Sequence, residues 1–490
     1  MPKSDQSLHL LKQARGARPF RSEHGQPCVS VGKSVGQDAG AQTIFPIRSA
    51  GFRDWLTNNF FNETERAPSN DAYQATVRIL EAQSRYTEFP VRKVNHRIAY
   101  DGDALLPTRI AIDLANSAGE VLEITSRGWT VGENLRYAFR ESNSTQALPQ
   151  PESNENSGEH QSAPPLAELR NLLKLENDET WHRVLAWLTA ALRPAGPYPI
   201  LVLSGPTGSG KSFLACALRS LIDPNAAPTR RIPERDHEVL QLAYHNWILA
   251  FDQIHRLTAT IAEALCAISS GDAFEIAQPD QRDPIVFQIA RPVILIAPHD
   301  ETQRAWTPPR TLASRTLTIQ LEHIARPRPE SLLWSAFESI RPSAIGTLAD
   351  AVSTALRRIR DVDLASVPRF PDCVYWTAAA APALAIDEAA VVNAYAQPNS
   401  VWTGSDPLRE AIHALLEPAG TWTGEVSDLL NQLRATVPLA ALPSTPRSLS
   451  QALPSIMGVR VARTKLPDGR RALTLTRADD TSQKTATPIG

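Results

Sequence analysis

A glycine-rich stretch from Gly205 to Ser212 (GPTGSGKS) has the residue types and the spacing of a loop that holds phosphate groups. Glycines let such a loop turn successive backbone N–H groups toward an anion, and the helix that follows adds partial positive charge from its N-terminus. Lys211 is expected to contact the β- and γ-phosphates, and the hydroxyl of Ser212 to ligate Mg²⁺. The residues assigned to this site are Gly205, Pro206, Thr207, Gly208, Ser209, Gly210, Lys211 and Ser212. The stretch therefore predicts binding of ATP with Mg²⁺; a chance glycine-rich loop is the alternative.

A carboxylate further along the chain is placed to complete the metal site. Asp252 follows the apolar run 247–251 (WILAF), which is typical of a buried strand. At the end of a strand beside the phosphate loop, it would act with Ser212 as an Mg²⁺ ligand. The alternative is that Asp252 caps the helix predicted over residues 257–269. The next residue is Gln253 rather than a glutamate that would polarise an attacking water, so the sequence does not predict fast hydrolysis.

Further strands position two candidate arginines. Apolar runs at 199–203 (PILVL) and 292–297 (PVILIA) predict buried parallel strands, the first directly before the phosphate loop. Residues 274–278 and 285–289 predict a hairpin whose tip carries Arg282, either a DNA contact or a solvated side chain. Arg315 precedes another predicted strand. It is either a finger that reaches the γ-phosphate in a neighbouring subunit or an ordinary surface arginine.

The composition of the whole chain narrows the class of protein. The chain has 490 residues, 42% hydrophobic and 21% charged, with a formal net charge of −2. These values exclude a wholly disordered chain, a coiled-coil rod and a uniformly basic nucleic-acid coat. The four cysteines show no CxxC spacing, and no apolar run approaches the roughly 18 residues that a membrane span needs. We therefore expect a soluble, cytoplasmic protein with no membrane partner.

The length suggests about three domains at roughly 150 residues each. A stretch that is poor in large apolar residues predicts a disordered linker, and two helices followed by alternating strands predict a small α+β domain before it. The predicted boundaries are a disordered tail at 1–17, the α+β domain at 18–140, the linker at 141–165, a phosphate-loop core with a helical lid at 166–400, a C-terminal domain at 404–478 and a tail at 479–490.

The C-terminal domain has the order of a winged helix. Helices are predicted at 406–416, 426–433 and 446–457, and two strands at 459–463 and 471–476 flank an Asp468-Gly469 turn. From Ser444 to Arg477 there are seven Lys and Arg residues against one acidic residue, a net charge of +6 that suits contacts with DNA phosphates. The assigned DNA contacts are Arg282 in the hairpin and Arg447, Ser448, Arg463, Lys465, Arg470 and Arg471 here. A winged helix that binds a protein partner is the alternative.

Several of these segments together resemble a known family. The phosphate loop with IDPNAAP after it, WILAFDQ, ARPVILI, LASRTLTIQL and the basic C-terminal domain resemble the helicase part of phage and prophage primase-helicases. Those proteins are similar to superfamily 3 and poxvirus-type helicases, within the AAA+ division of P-loop NTPases. The resemblance covers about residues 18–477. No primase domain is expected, because the folded part before the linker is too short.

The resemblance implies an α/β fold: a P-loop NTPase core like that of AAA+ proteins, with a small N-terminal α+β domain and a C-terminal winged helix. It also implies a homo-oligomeric ring, commonly a hexamer, that uses ATP to move on DNA, with replication or mobile-element proteins as partners. It assigns the finger to Arg315 and a sensor role to the end of the strand 292–297. Relatives have asparagine there, and this chain has Ile296.

Ile296 and Gln253 both depart from the family pattern, which leaves more than one function open. The leading interpretation is a DNA-translocating ATPase of the helicase type. The second is a nucleotide-gated DNA-binding or assembly factor with weak or no hydrolysis. The third is a regulator or defence-associated ATPase whose winged helix binds proteins.

Overall fold

The computed structural model of the chain divides into two compact units, Met1–Gln397 and Pro398–Gly490. The fold is mixed α/β with a parallel central sheet, as the sequence predicts. The structure describes residues 3–32, 42–86, 90–140, 142, 144–153, 164–276, 285–299, 306, 308–396, 407–417, 420–434, 445–446, 449–450, 453, 459–465 and 470–477.

The first unit starts with a helix, where the sequence predicts a disordered tail at 1–17. This helix, α1 (Lys3–Gly16), buries Leu10 and Ala14 against two later helices, α2 (Ala50–Thr64) and α3 (Asn70–Tyr86). The prediction is wrong because the few apolar residues of α1 gain their partners only in the folded chain. Beside the helices lies a sheet of β1 (Pro19–Ser22), β2 (Pro27–Gly32), β3 (Gln42–Pro46) and β4 (Val91–Arg92), in the order β3-β2-β1-β4.

The alternating stretches after residue 93 form short strands, as predicted. They are β5 (Val94–Asn95), β6 (Ile98–Gly102), β7 (Pro107–Asp113), β8 (Glu120–Thr125), β9 (Gly128–Glu133) and β10 (Ala138–Phe139). Four of them, β6 to β9, form an antiparallel meander, and β5 pairs with β10. One face of the meander packs into the main core of the first unit, to which it contributes Ile110, Leu122 and Ile124.

Two helices precede the central sheet, α4 (Pro165–Leu172) and α5 (Asp178–Ala191). The chain turns between them at Lys174, whose positive φ of 57° is incompatible with a continuous helix. Asn177 then caps α5 by accepting a hydrogen bond from the backbone N–H of Thr180 at 3.2 Å.

A five-stranded parallel sheet forms the centre of the first unit. In chain order, its strands and their connections are β11 (Ile200–Gly205), α6 (Lys211–Ser220), β12 (Arg230–Arg231), α7 (Asp236–His245), β13 (Leu249–Asp252), α8 (Ala259–Ser270), β14 (Ala273–Ile276), β15 (Ile285–Gln288), β16 (Val293–Pro298), α9 (Arg310–Ala313) and β17 (Thr316–Gln320). The sheet order is β12-β13-β16-β11-β17, while β14 and β15 form a separate antiparallel hairpin. The tip of this hairpin, with Arg282, lies outside the described residues.

The apolar run of β11 reflects burial on both faces of the sheet. Leu201 and Leu203 belong to one core, and Ile200 and Val202 belong to the core on the opposite face. A strand with helices on both sides has no polar face, which is why this segment reads as continuous hydrophobic sequence. The register of β11 with β16 and β17 carries the chain to Gly205, where the phosphate loop begins.

A layer of helices follows the sheet along the chain. It consists of α10 (Glu330–Arg358), α11 (Pro371–Ala380), a short 3-10 helix (Ala381–Leu384) and α12 (Glu388–Tyr395). The long helix α10 also carries the meander: the indole Nε1 of Trp129 donates to Asp350 at 2.8 Å, and the Ser353 hydroxyl donates to the Thr125 carbonyl at 2.7 Å. The meander β6–β9 therefore shares a core with the central sheet.

Residues 144–153 differ from the disordered linker that the sequence predicts for 141–165. Three of their backbone N–H groups donate to carbonyls elsewhere in the chain: Gln146 to Pro224 (3.0 Å), Leu148 to Leu114 (2.9 Å) and Glu152 to Pro342 (3.1 Å). The Leu148 side chain is 3% exposed. Backbone pairing stabilises this segment without many apolar side chains, and composition does not reveal such pairing. Residues 154–163 lie outside the described part of the chain.

The packing of residues 144–153 on α10 can be tested by a substitution at Gly346. In a helix interior, alanine is normally more stable than glycine by roughly 0.5–1 kcal/mol. A Cβ on Gly346 in α10, however, would overlap the backbone carbonyl of Glu152. We expect Gly346→Ala to lower the free energy of unfolding by about 1–3 kcal/mol, the usual cost of overpacking, in urea denaturation. Gly132→Ala is the matched control, because a Cβ there meets nothing within 4 Å. Equal stability of the two variants would contradict the packing of residues 144–153 on α10.

The second unit is small and has its own core. Its described elements are α13 (Pro407–Leu416), β18 (Thr421–Gly424), α14 (Val426–Leu433), β19 (Val459–Lys465) and β20 (Arg471–Arg477). The strands form a sheet in the order β18-β20-β19, so the predicted two-stranded ribbon has a third strand at Thr421–Gly424. Ile412, Leu429 and Leu475 are among the residues of the core. Of the predicted helix 446–457, Pro446, Leu449 and Ser450 are described as α-helical and Leu453 as 3-10 helical, and the other residues lie outside the described part of the chain.

Candidate nucleotide site

The loop from Gly205 to Ser212 leaves the carboxyl end of β11 and enters α6. Gly208 and Gly210 have φ angles of 83° and 78°, a region that favours glycine, and Gly210 is the residue directly before the helix. Gly205 is required for a different reason: a Cβ there would lie 2.5 Å from the carbonyl oxygen of Leu321. The glycine spacing is thus needed by the backbone path of the loop.

The Lys211 ammonium lies inside this loop. Its Nζ donates to the carbonyl oxygens of Gly205 (2.7 Å) and Pro206 (2.6 Å) and to the Ser209 hydroxyl (3.1 Å), and the residue is only 9% exposed. Burial lowers the pKa of Lys211, and the charge of Asp252 opposes that shift. The cation is therefore held within the loop, where an anion in the cradle would meet it.

Ser212 and Asp252 lie next to each other, as the sequence predicts for a metal site. The Ser212 hydroxyl donates to Asp252 Oδ2 at 2.9 Å, and the backbone N–H of Gln253 donates to Oδ1 at 2.6 Å. The carboxylate is thus oriented through both oxygens. Gln253 adopts a positive φ of 58°, which is uncommon for a residue with a side chain, and so turns the chain directly after β13.

The alternative role for Asp252, as a helix cap, is not what the structure has. Helix α8 begins at Ala259, and its cap is Thr258, whose hydroxyl accepts from the Ile261 N–H at 3.3 Å. Asp252 lies several residues earlier, at the end of β13. Its hydrogen bonds are the contacts with Ser212 and Gln253 described above.

Ile296 does not reach the loop with its side chain. It is 1% exposed, lies inside β16 beside Leu203, and accepts the Ile254 N–H at its carbonyl at 2.9 Å. The polar residue at the end of this strand is His299, whose backbone N–H donates to the Gly205 carbonyl at 3.1 Å. Its Nε2 is buried and has no hydrogen-bond partner within the described ranges.

The segment after β17 lies across the phosphate loop. Leu321 donates its N–H to the Ser204 carbonyl at 2.8 Å, and Ile324 donates to Gly208 at 3.4 Å. His323 Nε2 would be 3.5 Å from a Cβ on Gly208. Sequence reasoning missed both His299 and His323. The local signal is that each lies within three residues of the end of a strand.

Arg315 lies at the opposite edge of the sheet from the loop. Its carbonyl accepts the Ile200 N–H at 2.9 Å, at the start of β11, whereas the loop begins at Gly205. With a rise of about 3.3 Å per residue, these points are about 16 Å apart. The Arg315 guanidinium is hydrogen-bonded to the Ser270 hydroxyl. Arg369 lies beside it: burial and then the charge of Arg315 lower the pKa of Arg369.

Most of the predicted DNA contacts have no described side chain. Arg282, Arg447 and Ser448 lie outside the described residues. Arg463, Lys465 and Arg471 lie on β19 and β20, where only the backbone is described. Arg470 is 65% exposed and forms an ion pair with Glu425 at 2.7 Å, so part of its charge is already compensated.

Residues 166–396 match the model of a family described as actinomycete integrative conjugative element replication proteins. No curated protein matches the chain. The apo C-terminal region of NrS-1 aligns with 96% of this chain and 98% of its own, at 10% identity and a TM-score of 0.40. A JCV helicase structure aligns with 46% of this chain and 73% of its own, at 13% identity and a TM-score of 0.23. Of the described helices, none could span a membrane.

Proposed function

We propose that this protein binds ATP with Mg²⁺ at the loop Gly205–Ser212 and uses it to engage DNA during the replication of a mobile element. The observation that carries the ATP site is the 2.9 Å contact between Ser212 and Asp252 beside the buried Lys211. The match to a replication-protein family over residues 166–396 supports the link to DNA replication.

The site supports a division of roles among its residues. The loop backbone and Lys211 would hold the phosphates, with the positive end of α6 directed at the same place. Ser212 and Asp252 would supply two of the oxygen ligands of Mg²⁺, and phosphate oxygens and water would complete its shell. When bound, the ion would neutralise charge that develops on the phosphates.

We propose a P-loop NTPase core, similar to that of AAA+ proteins, on the same grounds. The phosphate loop follows β11 and the carboxylate follows β13, with β16 between them in the sheet. The two groups meet at the carboxyl edge of a parallel sheet, which is where α/β proteins bind ligands. A winged helix in the second unit, with a local charge of +6 over residues 444–477, would provide the contact with DNA phosphates.

A second candidate function is a nucleotide-gated DNA-binding or assembly factor with little hydrolysis. Gln253 favours it, because the residue that follows Asp252 carries no carboxylate and its backbone N–H is bonded to Asp252. The Ile296 side chain is buried and so offers no polar group to the γ-phosphate. His299, at the end of the same strand, is the side chain placed to take that role.

ATP turnover with and without single-stranded DNA separates the two candidates. For the motor we expect several-fold stimulation of turnover by DNA, together with strand displacement on a forked duplex. Removal of Mg²⁺ with a chelator should stop turnover, because Ser212 and Asp252 bind phosphate only through the ion. Tight ATP binding with negligible turnover would instead support the gated factor. Absence of any DNA binding at low salt would contradict both.

A further inference from the structure

A cavity of about 360 Å³ lies in the first unit, away from the phosphate loop. Its walls come from the N-terminal strands, around His24, Lys93 and Arg140, and from the amino edge of the central sheet, around Trp247 and Arg291. The base of the hairpin β14–β15 closes one side through Phe287 and Ile289. The cavity has the volume of a small-ligand site and is separated from the phosphate loop by the length of the sheet.

The charge of this cavity is uneven. Lys93, Arg140 and Arg291 line it, and Glu23 is the one acidic residue among its described lining residues. None of the three cations forms an ion pair with a carboxylate in the described part of the chain. Glu23 interacts electrostatically with Lys93 and Arg140, but three cations against one carboxylate leave a surplus of positive charge, which indicates a place for an anion.

Arg140 is fixed in the wall with one donor left over. Its Nη2 donates to Gln26 Oε1 at 2.6 Å, and its guanidinium carbon lies 4.5 Å from the centre of the Tyr244 ring. Its Nε is buried and makes no hydrogen bond among the described residues. A buried donor without a partner is costly, so the guanidinium of Arg140, a lining residue of the cavity, is only partly compensated.

The other two cations, Lys93 and Arg291, lie at the mouth and in the floor of the cavity. Lys93 is exposed, and its Nζ lies 3.8 Å from the centre of the Tyr100 ring. Arg291 donates to the backbone carbonyls of Ala243 (3.0 Å), Asn246 (2.9 Å) and Ala290 (2.9 Å). Neutral carbonyls bind Arg291 without cancelling its charge, and burial lowers its pKa only to about 10.

The histidines of the cavity respond to this positive potential. Burial lowers the pKa of His24 and of His96, and the charges of Arg140 and Arg291 lower both further. Both imidazoles are therefore neutral near pH 7 and add no charge of their own. Burial is the larger cause for both histidines, and the nearby cations add to the shift in the same direction.

We propose that this cavity binds a phosphate group of a nucleotide, through Lys93 and Arg140, next to an aromatic wall of Tyr244 and Phe287. The phosphate belongs either to a DNA strand or to a free nucleotide. Its position at the base of the hairpin β14–β15 favours a strand, and in that respect the inference rests on the proposed function in DNA replication. Phosphate diesters are recognised by Lys and Arg in this way, without reference to base sequence.

Removal of the charge at the mouth tests the proposal in the full-length protein. Lys93→Gln keeps a polar side chain at an exposed position, and Lys12→Gln on α1 is the matched control. By fluorescence anisotropy we expect Lys93→Gln to bind a 20-nucleotide oligo(dT) about fivefold more weakly at 0.1 M salt. The slope of log affinity against log salt should flatten by about 0.7, the value for one lost single-strand phosphate contact. Lys12→Gln should match the parent protein.

Two further arms identify the source of the phosphate. Thymidine monophosphate and inorganic phosphate are titrated calorimetrically in the Lys211→Ala background, which removes competition from the phosphate loop. Oligo(dT) binding that depends on Lys93, with no binding of the monophosphate, identifies a strand site; Lys93-dependent binding of the monophosphate identifies a free-nucleotide site. Arg140→Gln should weaken binding of the same ligand, provided that its melting temperature is unchanged.

Unchanged binding of all three probes in both Lys93→Gln and Arg140→Gln would overturn the proposal. ATP turnover measured in parallel distinguishes failure of this inference from failure of the proposed function. If turnover depends on Lys211 while the cavity variants behave like the parent, this inference fails and the ATP site stands. If Lys211→Ala turns over ATP normally, the proposed function fails whatever the cavity variants do.

Discussion

Replacement of Lys211 by alanine is expected to weaken MgATP binding at least about 100-fold, which corresponds to about 2.7 kcal/mol, and to reduce turnover to background. The ammonium is only 9% exposed and lies among the carbonyl oxygens of its own loop. An ATP molecule in the cradle would bring its β- and γ-phosphates to this cation. Without it, only the loop backbone, the N-terminus of α6 and Mg²⁺ would compensate the charge of the desolvated phosphates.

Two controls separate the loss of charge from damage to the loop. Lys211→Met keeps most of the buried stem and removes only the ammonium, so it should lose ATP binding while keeping the parent melting temperature. Lys12→Ala, on the exposed side of α1, removes a lysine remote from the loop and should bind ATP normally. Binding is measured by titration with a fluorescent ATP analogue. Parent-like affinity in Lys211→Ala would remove the basis for an ATP site here.

The central sheet and the backbone path of the loop 205–212 were predictable because their signals are local. The run at 199–203 corresponds to β11 (Ile200–Gly205), since a strand buried on both faces must be apolar throughout. The glycines at 205, 208 and 210 are required by positive φ angles or by close backbone contact. In both cases the residue type itself carries the physical constraint, so reading the sequence is enough.

The segment 144–153 was not predictable, because its stability comes from backbone hydrogen bonds with Leu114, Pro224 and Pro342. Backbone groups are the same in every residue, so composition carries no trace of these bonds. The prediction of a disordered tail at 1–17 is wrong for a related reason: Leu10 and Ala14 of α1 pack against α2 and α3, which lie far along the chain.

The polar groups around the loop show the same limit. Asp252 was found because a carboxylate at a strand end is a recognisable pattern. His299 and His323 come near the loop only through the pairing of β16 and β17 with β11, and no motif marks them. The resemblance assigns the sensor role to Ile296, but the side chain at that register of β16 faces the core. Sheet geometry decides which side chain reaches the site.

An equimolar mixture of Lys211→Ala and Arg315→Ala protein is expected to regain ATP turnover that neither variant has alone. Arg315 lies at the amino edge of the sheet and the loop at the carboxyl edge, about 16 Å away along β11, so it cannot serve the loop of its own chain. If Arg315 is a finger, it acts on a neighbouring subunit in a homo-oligomeric ring, of which a hexamer is the form that the resemblance implies.

The expected recovery follows from counting interfaces. In a randomly mixed ring, about one interface in four combines an intact loop from an Arg315→Ala subunit with an intact finger from a Lys211→Ala subunit. If the interfaces act independently, turnover should therefore reach about a quarter of the parent value. Arg127→Ala, an exposed arginine in the turn between β8 and β9, is the matched control and should be fully active alone.

Arg369 provides the sharpest discrimination, because it lies beside Arg315 and its guanidinium bonds to the Ser314 hydroxyl at 2.9 Å. The same mixing experiment with Arg369→Ala asks which of the two arginines reaches across the interface. Complementation by Arg315→Ala alone assigns the finger to Arg315. Complementation by Arg369→Ala alone would move the assignment to Arg369. If Arg315→Ala by itself retains full turnover, no neighbour depends on Arg315, and the finger role is excluded.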